Sequence, residues 1–417
     1  MIKEKFTLNQ KETSIGIMQS KIDDIRMKDI TSTGVRIYEN GFIGVAGAIG
    51  EYDEDKLEAE AKEALKLKIP YEAKAYENNK HLVVNECNIG DISDFIKEVE
   101  EVITILNNRY KNFTFANKVN LIEIEASLKN DKGLDLYQKD KRINFDITVK
   151  DKNSVNIMDT YIPYNTRKYN RGNFLSFVDS ILSPYHNIVE LPNKEKLPVV
   201  MFNPDLNGLL AMKFFEDLNG LTFANEASIF SGKLGEKLFN DEFTLLLTSN
   251  PEDTNELFFD AEGSFSKDYR YALIDKGVIK SPYTDKKTAL NYNLPLTAAS
   301  TGEYDEAPSL QPSESIFNKM KLKQGDKTVK ELLGGELGVF IFTASGGGFT
   351  PEGNFGTPVQ QAYLFDGEKF IGRLPELKIS SDLYSMCGKD FRGVSKNTLN
   401  EDVNLSYTVI DMKVEKL

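Results

Sequence analysis

A helix that is apolar on nearly every side has to be enclosed, and one segment of this chain has that character. Leu206, Leu209, Leu210, Met212, Phe214, Phe215 and Leu218 crowd the stretch between Asn203 and Gly220. A surface helix carries a single apolar stripe, so this spacing predicts an internal helix wrapped by other layers. Asn203 or Asp205 is suited to cap its start, and Asn219-Gly220 to end it. The second half must therefore hold a core of its own. At 417 residues the chain exceeds one ordinary core and suits two domains of about 200 residues each. We place them at residues 1–190 and 191–417, with Pro184, Pro192 and Pro198 marking the passage.

The first half changes period partway along. Val35–Tyr38 and Phe42–Ala46 flank Asn40-Gly41, which predicts a hairpin. Helices are expected over 53–67, with Leu57, Ala61, Ala64 and Leu65 as the stripe, and from Ile92 to Leu106 behind Asp91 as cap. Four strands then follow by pattern, over Phe113–Leu128, Leu134–Tyr137, Ile143–Val149 and Val155–Ile162, with a closing helix at Phe174–Leu182. Helices beside an antiparallel sheet define an α+β domain. The second half reads as β-rich around its buried helix. Strands are expected at Leu197–Phe202, Phe243–Leu247, Tyr271–Ile274, Val278–Lys280, Leu337–Phe342, Gln360–Phe365 and Leu405–Val414.

Composition narrows the function classes. A formal charge of −13 disfavours direct nucleic-acid binding. The small basic groups Lys139, Lys141, Arg142 and Arg167, Lys168, Arg171 read as solvated rims. Two cysteines, Cys87 and Cys387, do not make a disulfide framework and fit a reducing, cytoplasmic setting. No apolar window reaches membrane-spanning length. The two histidines, His81 and His186, lack a second ligand at short spacing and read as satisfied side chains. Ser231-Gly232-Lys233-Leu234-Gly235 fits neither a Walker loop nor a dinucleotide fingerprint. The glycines around Gly346 and Gly347 indicate tight backbone packing.

Several of these phrases, taken together and in order, carry a family likeness. They are Thr33-Gly34-Val35-Arg36, Ser231-Gly232-Lys233-Leu234-Gly235-Glu236-Lys237, Phe259-Asp260-Ala261-Glu262-Gly263 and Leu273–Ile279, followed by the late glycine region. The chain resembles the TldD/PmbA family, named for modulation of DNA gyrase and related to zinc metalloproteases. The resemblance implies an N-terminal α+β domain, a β-rich C-terminal domain, and pairing of like-folded subunits into a peptidase. Its TldD-like members carry His-Glu-x-x-x-His on the helix equivalent to the apolar one here, with a late cysteine as a further ligand.

Laid on this chain, that phrase falls on Ala211 and Met212 and on Glu216 at its second histidine, while Cys387 stands in the segment that resembles the cysteine ligand. Alanine and methionine supply neither a zinc ligand nor a base to activate water, so a metal cofactor is not expected. Met212 reads as core filler and Asp260 with Glu262 as structural support for the turn at Gly263. The expectation is a non-catalytic TldE/PmbA-like subunit that shapes a peptide-binding cleft, paired with a TldD-like chain or with a second copy of itself. Ser231, Gly232, Lys233, Gly235, Asp260, Glu262, Gly263, Gly346 and Gly347 are the candidate cleft or motif residues. The alternative is an active hydrolase using an atypical metal site or the Cys387 thiol.

Overall fold

The computed structural model describes residues 1–202, 205–398 and 406–417. Asn203 and Leu405, expected at a helix start and a strand start, lie outside the described residues.

The N-terminal half is built on a long sheet, antiparallel except for β5, which runs parallel to β7. Strands β1 (Ile2–Met18) and β2 (Lys21–Glu39) form a hairpin closed by Gln19 and Ser20, both at positive φ. Ser20 offsets that strain by exchanging hydrogen bonds with Phe115, its Oγ accepting from the amide at 2.9 Å. The expected hairpin follows: β2 turns at Asn40-Gly41 into β3 (Phe42–Ile49). Helix α1 (Glu54–Ala64) is capped by Asp53, and the short β4 (Ile69–Pro70) edges β3. Strand β5 (Lys80–Asn85) precedes α2 (Ile92–Arg109), capped by Asp91 as expected. Strands β6 (Phe113–Asn130), β7 (Asp135–Asp151) and β8 (Thr160–Thr166) and helix α3 (Arg171–Leu182) complete this half. The sheet order is β4-β3-β2-β1-β6-β7-β5, with β8 also on β7. Phe95, Val99, Val102 and Leu106 of α2 and Phe174, Phe177 and Ile181 of α3 pack with Phe145 and Ile147 of the sheet.

Two strand expectations are corrected here. The strands expected at Leu134–Tyr137 and Ile143–Val149 are one strand, β7, which begins at Asp135, while the strand expected from Val155 begins at Thr160. The charges between the first pair suggested a break. In the fold Asp140 is buried and satisfied by Arg142 at 2.9 Å and Arg167 at 2.6 Å, so the strand runs through. These two arginines are therefore not a solvated rim.

The C-terminal half opens with β9 (Lys196–Phe202), α4 (Asp205–Asp217) and α5 (Gly220–Ala224). Strands β10 (Leu245–Thr248), β11 (Arg270–Asp275) and β12 (Val278–Ile279) follow, then α6 (Lys286–Tyr292), α7 (Glu314–Lys319) and β13 (Met320–Leu322). Next come α8 (Val329–Leu333), β14 (Gly338–Ala344), β15 (Gly348–Phe349), β16 (Asn354–Phe365), β17 (Phe370–Arg373) and β18 (Leu377–Asp382). Helix α9 (Leu383–Cys387), β19 (Phe391–Thr398) and β20 (Ser406–Lys416) end the chain. The larger sheet runs β14-β9-β20-β18-β16, and the added β14–β16 pairing closes it on itself. Closure leaves these strands no free edge and gives α4 a curved wall to pack against. The architecture is a two-domain α+β fold with a β-rich, barrel-containing second domain.

Helix α4 is enclosed less completely than its composition suggests. Leu210, Ala211, Phe214, Phe215 and Leu218 are buried with the barrel strands, but Met212 is 43% exposed and Glu216 is exposed one turn on. Met212 is thus not core filler: the helix keeps a narrow open strip. Nor does Asn219 end α4. Its side chain accepts from the Leu221 and Thr222 amides at 2.9 and 3.3 Å, capping the start of α5.

Candidate functional site

The degenerate ligand positions come first. Ala211 faces the core, whereas Met212 and Glu216 point outward from α4. Among the described side chains of the helix, the buried charged groups are Lys213 and Asp217, four residues apart and joined at 2.9 Å. Lys213 Nζ donates to the Pro351 carbonyl at 3.1 Å, and Asp217 accepts from the Ile229 amide at 3.1 Å. Two desolvated charges are tolerated here because each has a partner and a backbone contact. Neither residue stood out in the sequence, since a lysine one helical turn before an aspartate is an ordinary surface pattern.

Cys387 closes α9 with no exposed surface, and burial pushes its thiol well above the usual range. A thiol held neutral inside a core is a poor nucleophile and a poor ligand. The histidines are elsewhere: His81 contacts the Tyr269 hydroxyl, and His186 Nε2 lies 2.6 Å from Asp151 and stacks on Phe113. Among the described residues, no three His, Cys, Asp or Glu side chains converge. The donor set therefore does not fit a hydrolytic zinc centre, which needs about three ligands and an open position.

The glycine region meets α4 from the other side. Gly346 has φ +85°, and a Cβ on Gly347 would lie 2.2 Å from the Gly356 carbonyl. Close backbone approach thus dictates glycine at 347, and the Pro351 carbonyl that follows receives Lys213. Ser231–Gly235 forms a turn in which Gly232 and Gly235 take positive φ and Ser231 Oγ donates to the Phe223 carbonyl at 2.9 Å. Lys233 reaches over the Tyr384 ring, 5.7 Å from its centroid. Tyr384 in turn lines an open groove of about 630 Å³ with Lys237, Phe239, Asn240, Ser385 and Lys389. The turn, the groove and the Cys387 segment so lie side by side.

Asp260, Glu262 and Gly263 lie elsewhere, at the seam between the halves. Asp260 accepts from the Glu262, Ser264 and Ser300 amides at 2.9, 2.7 and 3.0 Å, which fixes the turn at Gly263 (φ +73°). Glu262 accepts from the Tyr71 hydroxyl and from the Lys286 amide at 2.9 Å. Lys286 Nζ donates to the carbonyls of Glu262 and Lys74 and sits 3.8 Å from the Tyr76 ring centroid. Arg36, from the Thr33–Arg36 phrase, donates to the Ala261 carbonyl and pairs with buried Glu4 at 3.6 Å. Burial raises both acidic groups, and Glu262, with Asp260 adding repulsion, is pushed up to about 8. Perturbed carboxylates often mark active sites, but these are enclosed and turned toward backbone amides and the other half.

Neighbouring contacts extend the seam. Phe258 and Phe259 pack on Leu128, Leu134 and Leu136, the Phe258 amide donates to Gln138 at 2.7 Å, and Arg167 holds the carbonyls of Pro251 and Thr254. Residues 250–269 thus form a strap laid on the N-terminal sheet. The roles of Tyr71 and Gln138, and the contact of Lys286 with Lys74, were invisible in the sequence because those partners lie more than 100 residues away.

Among the described residues, neither α4 nor its surroundings carry a ligand set for a hydrolytic metal. The family model for the PmbA/TldA metallopeptidase C-terminal domain matches residues 194–416. Covering more than half of the chain, that match places this protein in the PmbA/TldD family. Three solved structures share the fold over nearly their full length. TldE from Thermococcus kodakarensis is 18% identical, with a TM-score of 0.79 over 100% of this chain and 96% of the other. A candidate modulator of DNA gyrase from Bacteroides thetaiotaomicron is 16% identical, with a TM-score of 0.76 over 100% and 95%. Another from Thermotoga maritima is 16% identical, with a TM-score of 0.74 over 99% and 96%. No curated protein matches the chain. Among the described residues, no helix is long and apolar enough to cross a membrane.

Proposed function

We propose that this chain is a non-catalytic, TldE/PmbA-like subunit of a TldD-type peptidase system that works in the cytoplasm. Its groove beside Tyr384 and the glycine region over α4 would wall a peptide-binding cleft, with hydrolysis supplied by a TldD-like partner. The observation that carries this reading is α4 itself. Where the resemblance puts a histidine pair and a base, the helix has Ala211, Met212 and Glu216, and it devotes its buried charges to the Lys213–Asp217 pair. The likeness in fold to TldE agrees with a subunit role. The alternative of a Cys387 thiol enzyme finds no support in a cysteine with no exposed surface.

Two measurements on untagged protein test the proposal. Elemental analysis should find only traces of transition metal, and the purified chain should leave peptides intact. Mixed with a TldD-like metallopeptidase, it should co-elute and raise peptide turnover. Stoichiometric zinc together with chelator-sensitive cleavage by this chain alone would refute it.

A further inference from the structure

We infer that the loop between β7 and β8 is a tip that dips into the surface of an anionic lipid membrane and holds the protein there without crossing it. Residues 152–159 leave the end of the N-terminal sheet with their apolar side chains uncovered: Val155 is 100% exposed, Ile157 97% and Met158 45%. Val155 and Ile157 fall where the sequence suggested a strand, yet they have almost no contact with the rest of the chain. Large apolar groups displayed side by side in this way mark an interaction surface.

The loop is nevertheless held in one shape. Lys150 Nζ donates to the carbonyls of Ser154, at 2.9 Å, and Asn156. The Ser154 amide donates to the Asp151 carbonyl at 3.0 Å, and the Asn156 amide to Ser154 Oγ at 3.0 Å. Pairing these backbone groups inside the loop lowers the cost of taking its tip out of water.

The surrounding charges select the occupant. Lys111 and Lys152 are exposed and lie together, because the Lys152 amide donates to the Asn112 carbonyl at 2.9 Å and its Nζ to the Lys111 carbonyl at 2.6 Å. Among the described residues, neither these two nor Lys150 has an ion-pair partner. The acids of the loop are turned to its base: Asp151 lies 2.6 Å from His186 Nε2, and Asp159 accepts from the Asp151 amide at 2.8 Å and the Asn156 side chain at 3.1 Å. A chain of formal charge −13 thus gathers unpaired cations around its most exposed apolar side chains. Negative headgroups over an apolar layer complement that arrangement. A protein partner would need a pocket shaped to a projecting tip, whereas a fluid lipid surface needs none. This inference stands apart from the peptide-handling reading and does not depend on it.

Co-sedimentation of the full chain with vesicles tests this, using phosphatidylcholine alone and phosphatidylcholine mixed with phosphatidylglycerol. The wild type should bind the mixed vesicles, leave the neutral ones largely free, and release as salt is raised. Val155→Ser combined with Ile157→Ser, at sites already open to solvent, should lower partitioning at least about tenfold while leaving the melting temperature unchanged. Lys111→Glu with Lys152→Glu should weaken binding to the mixed vesicles in the same way. The chain has no tryptophan, so Ile157→Trp places a single reporter at the tip, and its emission should move to the blue when mixed vesicles are added. No binding to the mixed vesicles, equal binding to both kinds, binding unmoved by the serine pair, or a bound protein whose tryptophan emission does not shift would overturn the inference.

Discussion

Lys213 and Asp217 place a full charge pair inside a helix that the sequence marked as apolar. Taking two charges out of water is costly, and removing one partner leaves the other stranded. Lys213→Ala should therefore lower stability by about 3–5 kcal/mol in urea denaturation, with the m-value unchanged. Lys213→Met combined with Asp217→Leu should recover most of that loss, since packed apolar groups replace a buried pair at little cost. A charge pair that served only as surface decoration would give less than about 1 kcal/mol. The same scale explains Cys387. A resemblance in sequence pointed to a ligand, but burial in the barrel core decides the state of the thiol.

At the scale of elements, helices with strong caps were the most legible. Asp91 caps α2 at the expected residue, and Asp53, expected as the first residue of its helix, caps α1; such ends are legible because a capping side chain bonds within three residues of itself. Strand β1 was not read, because its middle is half-exposed on both faces and shows no alternation. The merging of two expected strands into β7 has a related cause: buried Asp140 and its two arginines look like a loop until their pairing is seen. The glycine region also belongs here. If Gly347 is required by backbone contact, Gly347→Ala should destabilise by about 1–3 kcal/mol, read as a lower melting temperature. Gly348→Ala, with open space at its Cβ, should be nearly silent. Equal effects at both positions would show that contact with the Gly356 carbonyl is not what selects glycine.

For the whole molecule, the strap of residues 250–269 and the groups around Glu262 tie the halves together. Glu262 is raised from 4.5 to about 8 in the fold. The folded state therefore keeps a proton that the unfolded chain releases, and stability should fall as pH rises from the ordinary carboxylate range to about 8, then level off. Thermal melts across that range should show this slope, and Glu262→Gln, neutral throughout, should flatten it. Asp260 titrates in the same direction, so a residual slope is its share. A slope unchanged by Glu262→Gln would remove Glu262 from this role.

The chain's own letters determined what is local: the caps, the first helices, the 35–46 hairpin, the need to enclose 206–218, and the absence of histidine on that helix. These follow from bonds and periods within a few residues, and from residue types that no folding can change. Tertiary structure alone decided which side of α4 stays open, that Cys387 is sealed, that β14 and β16 close a barrel, and that Asp260 and Glu262 serve a seam between domains. Those outcomes depend on side chains far apart in the chain meeting out of water, where burial and pairing, rather than local preference, set the free energy.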